Sequence, residues 1–378
     1  MKLHTFNPGH DIALASNRMA VTMPHAAREL ADDLGWIPAL WADAGDCILV
    51  HHVDEAYEVA KRFFSENATR PFPDVRFVGR DQLGGLPIDE VCPWGWDACL
   101  VGELLGSGVA PHVLPTIDSV RGEMRELSHR KNAIPVLQRV RMGLEDRTCG
   151  KSACLQSFEA CIDYIGELHG DYVSAPWRIS DRAVFKAPWS SSGRGVRFVE
   201  GSITPSVAGW MENTIRRQGS IMAEPYYQKV EDFALEFVAD VKVRYVGLSL
   251  FETNGSAYSG NIVASEEKKR QMLGKYIDGT LLDELILRLE EALTIQFGGK
   301  YCGPLGVDMM VVAGGDDRPF RIHPCVEINL RRTMGHVALA LTSTDDRPPQ
   351  VMSIVRQDQH SRLTVRPAGR STMDRAFG

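Results

Sequence analysis

Phe185-Lys186-Ala187-Pro188-Trp189-Ser190-Ser191-Ser192-Gly193-Arg194-Gly195-Val196 sets a lysine at the end of a strand, follows it with a loop of small residues and leads out into a second strand. Small residues let backbone N–H groups and serine hydroxyls approach phosphate oxygens, while a lysine on the entering strand reaches them as a point charge. A plain hairpin turn with a surface lysine reads the same way, so the stretch decides nothing until it is set beside its neighbours.

The first neighbour is Glu327-Ile328-Asn329-Leu330-Arg331, in which polar and apolar residues alternate. On a strand of period 2, Glu327, Asn329 and Arg331 project from one face. Asp308 interrupts the apolar run Gly306-Val307-Asp308-Met309-Met310-Val311-Val312. An acid there is costly unless a cation neutralises it, and two carboxylates with an amide suit a Mg²⁺ ion that bridges phosphates. The plain alternatives are an exposed edge strand or a buried Arg–Glu pair. The second neighbour is Ile221-Met222-Ala223-Glu224-Pro225-Tyr226-Tyr227, followed by Glu231 and Asp232. An apolar strand ending in an acid and aromatics can pair with a purine edge and stack on the ring, and core packing explains it equally well.

The rest of the chain supplies the frame. Its 378 residues are two to three times a usual domain, and 44% hydrophobic with 24% charged residues is the composition of a globular protein. A net charge of -7 without like-charge runs offers nothing for nucleic acid or an anionic membrane, which leaves small molecules as partners. The amino terminus has no signal-peptide core and no apolar run is long enough for a bilayer, so a cytoplasmic location is the expectation. Eight cysteines at 47, 92, 99, 149, 154, 161, 302 and 325 form no C-x-x-C pair, so reduced, mostly buried thiols are expected.

The first hundred residues alternate strand and helix: Leu3 to Phe6, a helix opened by Pro24 and stopped at Gly35, Cys47 to Val50, a helix from Asp54, Val75 to Val78 and the strand entering Cys92. That predicts an open α/β sheet, with the turns Asn7-Pro8-Gly9-His10-Asp11 and Pro93-Trp94-Gly95-Trp96-Asp97 at the carboxyl ends of strands, where such sheets bind ligands. Ser119 to Val140 reads as helical and basic. Beyond it, paired strand signals predict antiparallel sheets: Ala183 to Pro188 with Val196 to Glu200, Ile221 to Tyr227 with Phe233 to Ala239, and Val307 to Val312 with Phe320 to Asn329. A helix from Leu281 to Phe297 carries Leu282, Leu285, Leu289 and Leu293 on one face. Residues after 345 are polar and rich in Arg and Pro, and a frayed tail is expected.

Taken in order, these pieces resemble the ATP-grasp superfamily of biotin carboxylase and the D-alanine ligases. Its members carry a lysine in a helical segment, a lysine strand with a glycine-rich loop, a hinge strand opening on glutamate, and an acid strand before E-x-N-x-R. The resemblance covers about residues 116 to 340. It implies an amino-terminal α/β domain over residues 1–115 that holds substrate, then a two-lobed ATP-binding domain: 116–230 with the phosphate loop, 231–345 with the metal site, and 346–378 as tail. By the same resemblance Lys131, Lys186, Ser190, Ser191, Ser192, Gly193, Arg194 and Gly195 would hold the phosphates of ATP. Glu224 and the backbone near Tyr226 would hold adenine, Glu231 the ribose, and Asp308, Glu327 and Asn329 Mg²⁺, with Mn²⁺ as the alternative ion. Lys186 and Arg331 would be catalytic. Arg130 beside Lys131, serines in place of most loop glycines, and Leu330 where proline is common depart from the pattern.

The family reaction phosphorylates a carboxylate and lets an amine or other nucleophile attack the acyl phosphate. A kinase that stops at a phosphorylated hydroxyl and a nonenzymatic nucleotide-binding protein are the alternatives. Homodimerisation stays open. A likeness of the opening turns to uncharacterised bacterial ATP-grasp proteins names no substrate.

Overall fold

The structure is a computed structural model describing residues 1–67, 70–174, 182–190, 195–254, 257–315, 318–342 and 347–369. Its strands in chain order are β1 (Lys2–Thr5), β2 (Cys47–Leu49), β3 (Arg76–Val78), β4 (Glu90–Pro93), β5 (Ala153–Leu155), β6 (Arg182–Lys186), β7 (Val196–Glu200), β8 (Ile221–Pro225), β9 (Lys229–Ala239), β10 (Val243–Asn254), β11 (Ala257–Val263), β12 (Gly303–Ala313), β13 (Phe320–Asn329), β14 (Gln350–Gln357) and β15 (His360–Pro367). The chain forms two compact units. One gathers Met1–Leu127, Ser259–Lys269 and Leu330–Gly378, the other Ser128–Tyr258 and Arg270–Asn329.

The first unit contains a parallel sheet of order β3-β2-β1-β4, in which Leu3 lies between Cys47 and Val91. Short strands with both faces covered read as unbroken apolar runs, as Cys47-Ile48-Leu49 does. Leu3, Cys47 and Leu49 meet Leu100 and Leu104 on one side, while Ile48 and Phe77 meet Trp36, Phe63 and Phe64 on the other. Asp97 caps the helix Ala98–Gly106 by accepting from Leu100 N at 3.0 Å, and Gly35 ends the helix His25–Leu34 as its sequence proposed.

Within the expected frayed tail, Gln350–Gln357 and His360–Pro367 form a hairpin. β14 pairs antiparallel with both β11 and β15, and Asp358 and Gln359 turn between them with φ of 52° and 68°, the left-handed pair a two-residue turn needs. Its alternate residues Met352 and Leu363 enter the core around Trp36, with Ile354 and Val365 packed against it. That period of 2 is masked by the polar residues in the same strands, among them Arg356, Gln357, Arg362 and Arg366.

In the second unit β5-β8-β6-β7 form an antiparallel sheet. The helices Phe158–Ser174 and Pro205–Gln218 share its core, where Cys161, Leu168 and Met211 pack with Ala183, Phe185 and Ala223. A further antiparallel set runs β13-β12-β9-β10. The helix Gly279–Phe297, capped by Asp278, buries Leu282, Leu285, Leu289 and Leu293. Two expectations are corrected. Ile221–Pro225 pairs with β6 and β5, whereas Phe233 to Ala239 pairs with β10 and β12, because the chain leaves the first sheet at Tyr226. The stretch from Ser119 to Val140 is broken at Ser128-His129, where the His129 ring accepts the Lys131 N–H and starts the short 3₁₀ turn Arg130–Asn132, before a separate helix Ala133–Arg141.

Candidate functional site in the second unit

Phe185 and Ala183 point into the helix-covered core, so alternation turns Lys186 to the opposite face of β6. Glu224 stands opposite Val184, on that same face and diagonal to Lys186. Lys186 Nζ donates to Glu224 Oε2 at 2.6 Å, with the side chains 10% and 8% exposed. Ser152 Oγ donates to the other carboxylate oxygen at 3.4 Å. A buried ammonium and a buried carboxylate thus satisfy one another where the strand enters the serine loop.

The two ends of that loop are tied by the Ala187 N–H, which donates to Gly195 O at 2.8 Å. A Cβ at Gly195 would overlap the Ser190 side chain, so glycine is required there for space. Ser191, Ser192, Gly193 and Arg194 lie outside the described residues. Arg130 closes the entrance. Its Nη1 donates to Ser190 Oγ at 2.8 Å and to Ala187 O, and its Nη2 donates to Ser190 O at 2.9 Å and to Glu327 Oε1 at 2.7 Å. His129 aligns it: the ring accepts the Lys131 N–H at Nδ1, so Nε2 carries the proton and donates to Ser220 Oγ at 3.0 Å, and Trp189 packs edge-on at 4.7 Å.

Glu327 is the cross-strand partner of Asp308, and Asn329 Nδ2 donates to Asp308 Oδ2 at 3.1 Å, so all three lie on one face of β12 and β13. Met310 and His323 continue that face, as do Asp232 and Glu236 of β9. Asp232 accepts from Lys229 Nζ at 2.5 Å and Thr253 Oγ1 at 2.8 Å. Glu231 stands opposite Val311, one residue off that alternation. Burial, with Asp232 and Glu252 nearby, pushes the Glu231 carboxyl up to about 7. Cys325 is fully buried, and its thiol is pushed up by desolvation and by Glu224, Asp308 and Glu327.

The donor set fits Mg²⁺ of one kind only. Among the described residues no cluster of three or more His, Cys, Asp or Glu is assembled to hold an ion. Two carboxylates and an amide match a Mg²⁺ that keeps waters and takes its remaining ligands from phosphates.

Two expected residues have protein partners of their own. The Tyr226 N–H is taken up by Arg182 O at 2.8 Å, and the Arg182 guanidinium lies 4.9 Å over the Tyr226 ring. Arg331 lies beyond β13, which ends at Asn329, and Leu330 turns into a core, 4% exposed. In the first unit Arg331 pairs with Asp11, Nη2 to Oδ2 at 3.1 Å and Nε to Oδ1 at 3.3 Å. Arg332 lies 4.1 Å over the Trp41 ring, and its N–H donates to Trp94 O at 2.8 Å. The predicted phosphate ligand Lys131 donates its N–H to His129, while its neighbour Arg130, not among the predicted ligands, touches both loop and carboxylate.

The turns flagged in the first unit meet. Asn7 Nδ2 donates to Gly95 O at 2.8 Å and Asp97 Oδ2 at 2.9 Å, and His10 Nδ1 lies 3.3 Å from the same carboxylate oxygen. β1 and β4 are the neighbours at which the strand order reverses, the place where parallel sheets hold ligands.

No family model and no curated protein matches the chain. Its structure is similar to that of ATP-grasp proteins. N5-carboxyaminoimidazole ribonucleotide synthetase from Thermus thermophilus is 12% identical over 100% of this chain and 96% of its own, with a TM-score of 0.46. Biotin carboxylase from Campylobacter jejuni is 14% identical over 93% and 75%, at 0.47. A putative ATP-grasp superfamily protein from Archaeoglobus fulgidus is 12% identical over 98% and 100%, at 0.40.

Proposed function

We propose that the second unit binds ATP with Mg²⁺ and that the chain uses it to activate a carboxylate. One observation carries the reading: Arg130 joins the entrance of the serine loop to the Glu327 carboxylate. A cation that touches both is placed to meet a polyphosphate laid between them. Lys186 supplies a second cation from the strand, and Lys131 a third. Glu224, Tyr226 and Glu231 are the candidates for base and ribose, and Asp308, Glu327 and Asn329 for the ion. When bound, Mg²⁺ would neutralise phosphate charge and hold the transferring group in line.

In the proposed reaction a carboxylate oxygen attacks the γ-phosphorus, the bond to the bridging oxygen breaks, and ADP leaves. An amine or other nucleophile then attacks the acyl carbon, phosphate departs with the acyl C–O electrons, and the nucleophile's proton passes to solvent or phosphate. Such transfer needs positioning and positive charge more than an acid–base pair, which fits a site rich in Lys and Arg. Lys186 is the proposed catalytic cation. Arg331, held by Asp11, is proposed to take the substrate acid. The meeting of Asn7, His10 and Asp97 is proposed as a further small-molecule contact.

The test is a screen of amino acids, peptides and metabolite acids for ADP release with MgATP, with hydroxylamine present. A hydroxamate supports the acyl phosphate. A stable phosphate ester decides for a small-molecule kinase, and ATP binding without turnover for a nonenzymatic binder.

A further inference from the structure

His323 lies on the carboxylate-bearing face. It is 1% exposed, and both ring nitrogens are buried without a hydrogen-bond partner among the described residues. Burial, with Lys186 and Arg141 nearby, pushes the ring down to about 3, so at neutral pH it is an uncharged imidazole with one donor and one acceptor. A buried polar group left unsatisfied is costly, and native interiors rarely keep one without a use.

The surroundings hold the ring in place. Gly150 has a φ of +126°, and a Cβ there would lie 2.7 Å from His323 Nε2, so only glycine lets the 148–150 segment pass over the imidazole. Arg141 fixes that segment by donating to Gly150 O at 2.6 Å. The Tyr227 ring stands edge-on at 5.4 Å, just past the end of the Glu224 strand. His323 is cross-strand from Met310, two residues along β12 from Asp308, the partner of Glu327, and a break in the pairing between these two rungs takes up the extra residues of β13. Resting on the nucleotide reading above, we propose that His323 is a ligand-binding residue whose ring hydrogen-bonds the nucleobase.

The proposal separates affinity from stability. His323→Leu removes two unsatisfied buried nitrogens, so the free protein should melt no lower than wild type. Its MgATP affinity, measured by calorimetry, should fall at least tenfold, while its affinity for Mg-tripolyphosphate, which has no base, should not change. His323→Asn, which keeps a donor and an acceptor, should recover part of the loss. A second measurement needs no variant: the His323 ring ¹⁵N shifts of the wild-type protein should move on adding MgATP and stay put with Mg-tripolyphosphate. MgATP affinity within twofold of wild type in His323→Leu, equal losses for both ligands, or ring shifts indifferent to the base would overturn the assignment and leave the nucleotide reading standing. A wild-type protein that binds neither ligand would remove the nucleotide reading itself.

Discussion

Arg130 Nη2 donates to Glu327 Oε1 at 2.7 Å across 197 residues of chain, and the same guanidinium holds the Ser190 hydroxyl and carbonyl. A lysine has the charge but donates from a single nitrogen and has no planar fork, so it cannot span the partners that Nη1 and Nη2 reach separately. Arg130→Lys should therefore lower MgATP affinity by roughly tenfold to hundredfold, from about 1.5 to 3 kcal/mol for a charge-assisted contact. Calorimetry showing wild-type affinity would take Arg130 out of the site.

Glu327→Gln keeps the volume of the side chain and removes its charge. The fold should survive, since the Glu327 side chain is 23% exposed and Arg130 retains its Ser190 contacts. ADP release on a substrate found by the screen should be abolished while the melting temperature shifts little. Retained turnover would mean that Glu327 holds no ion.

The Lys186–Glu224 pair makes the opposite demand. Removing one partner strands a buried charge, a loss of about 3 to 5 kcal/mol, whereas replacing both with neutral groups can be nearly neutral. Lys186→Met should unfold at markedly lower urea than wild type, and Lys186→Met with Glu224→Gln should recover most of that stability. Neither should bind MgATP normally. A double variant that regained affinity along with stability would show that Lys186 is structural only.

Much of this is legible without coordinates. Alternation in Glu327-Ile328-Asn329 places its polar residues together, and the β1 to β4 strands fall within a residue or two of where their apolar runs end. What stays hidden depends on contacts distant in sequence. Arg130 and Lys131 are adjacent and both basic, and only the His129 cap decides which one faces the loop. His323 looks like a polar break in a strand, and its lack of partners follows from Gly150 and Tyr227, far off in the chain. Continuing the strand assigns Arg331 to the carboxylate face, but Leu330 is drawn into a core and ends it.

Glu231 gives a pH dependence of definite sign. Its carboxyl titrates near 7 in the folded chain against an ordinary 4.5, chiefly because burial disfavours the charged form. Between those values the unfolded chain has lost the proton that the folded chain keeps, so stability falls as pH rises through the window and stays lowered above it. Glu231→Gln should melt with wild type near pH 4.5 and above it at pH 8, by a modest margin because the group is partly open to water. Equal melting temperatures at pH 8 would show that the carboxyl is not strained there.

Arg331 and Asp11 test whether a guanidinium is held in reserve for substrate. Both side chains are 18% exposed, and the two contacts at 3.1 and 3.3 Å are the bidentate geometry an arginine offers any carboxylate. If Asp11 occupies a fork meant for the substrate acid, Asp11→Asn frees it, and the acid identified by the screen should bind more tightly. Arg331→Lys should lose roughly tenfold to hundredfold in kcat/KM for that acid, the value of a charge-assisted pair. MgATP affinity should be unchanged in both, since the proposed nucleotide ligands do not include Arg331. If the pair is only an ion bridge, both variants should lose at most about 1 kcal/mol of stability and keep their kcat/KM. Measuring urea midpoints beside kcat/KM separates the two, and an Arg331→Lys protein with wild-type kcat/KM would assign the arginine to structure alone.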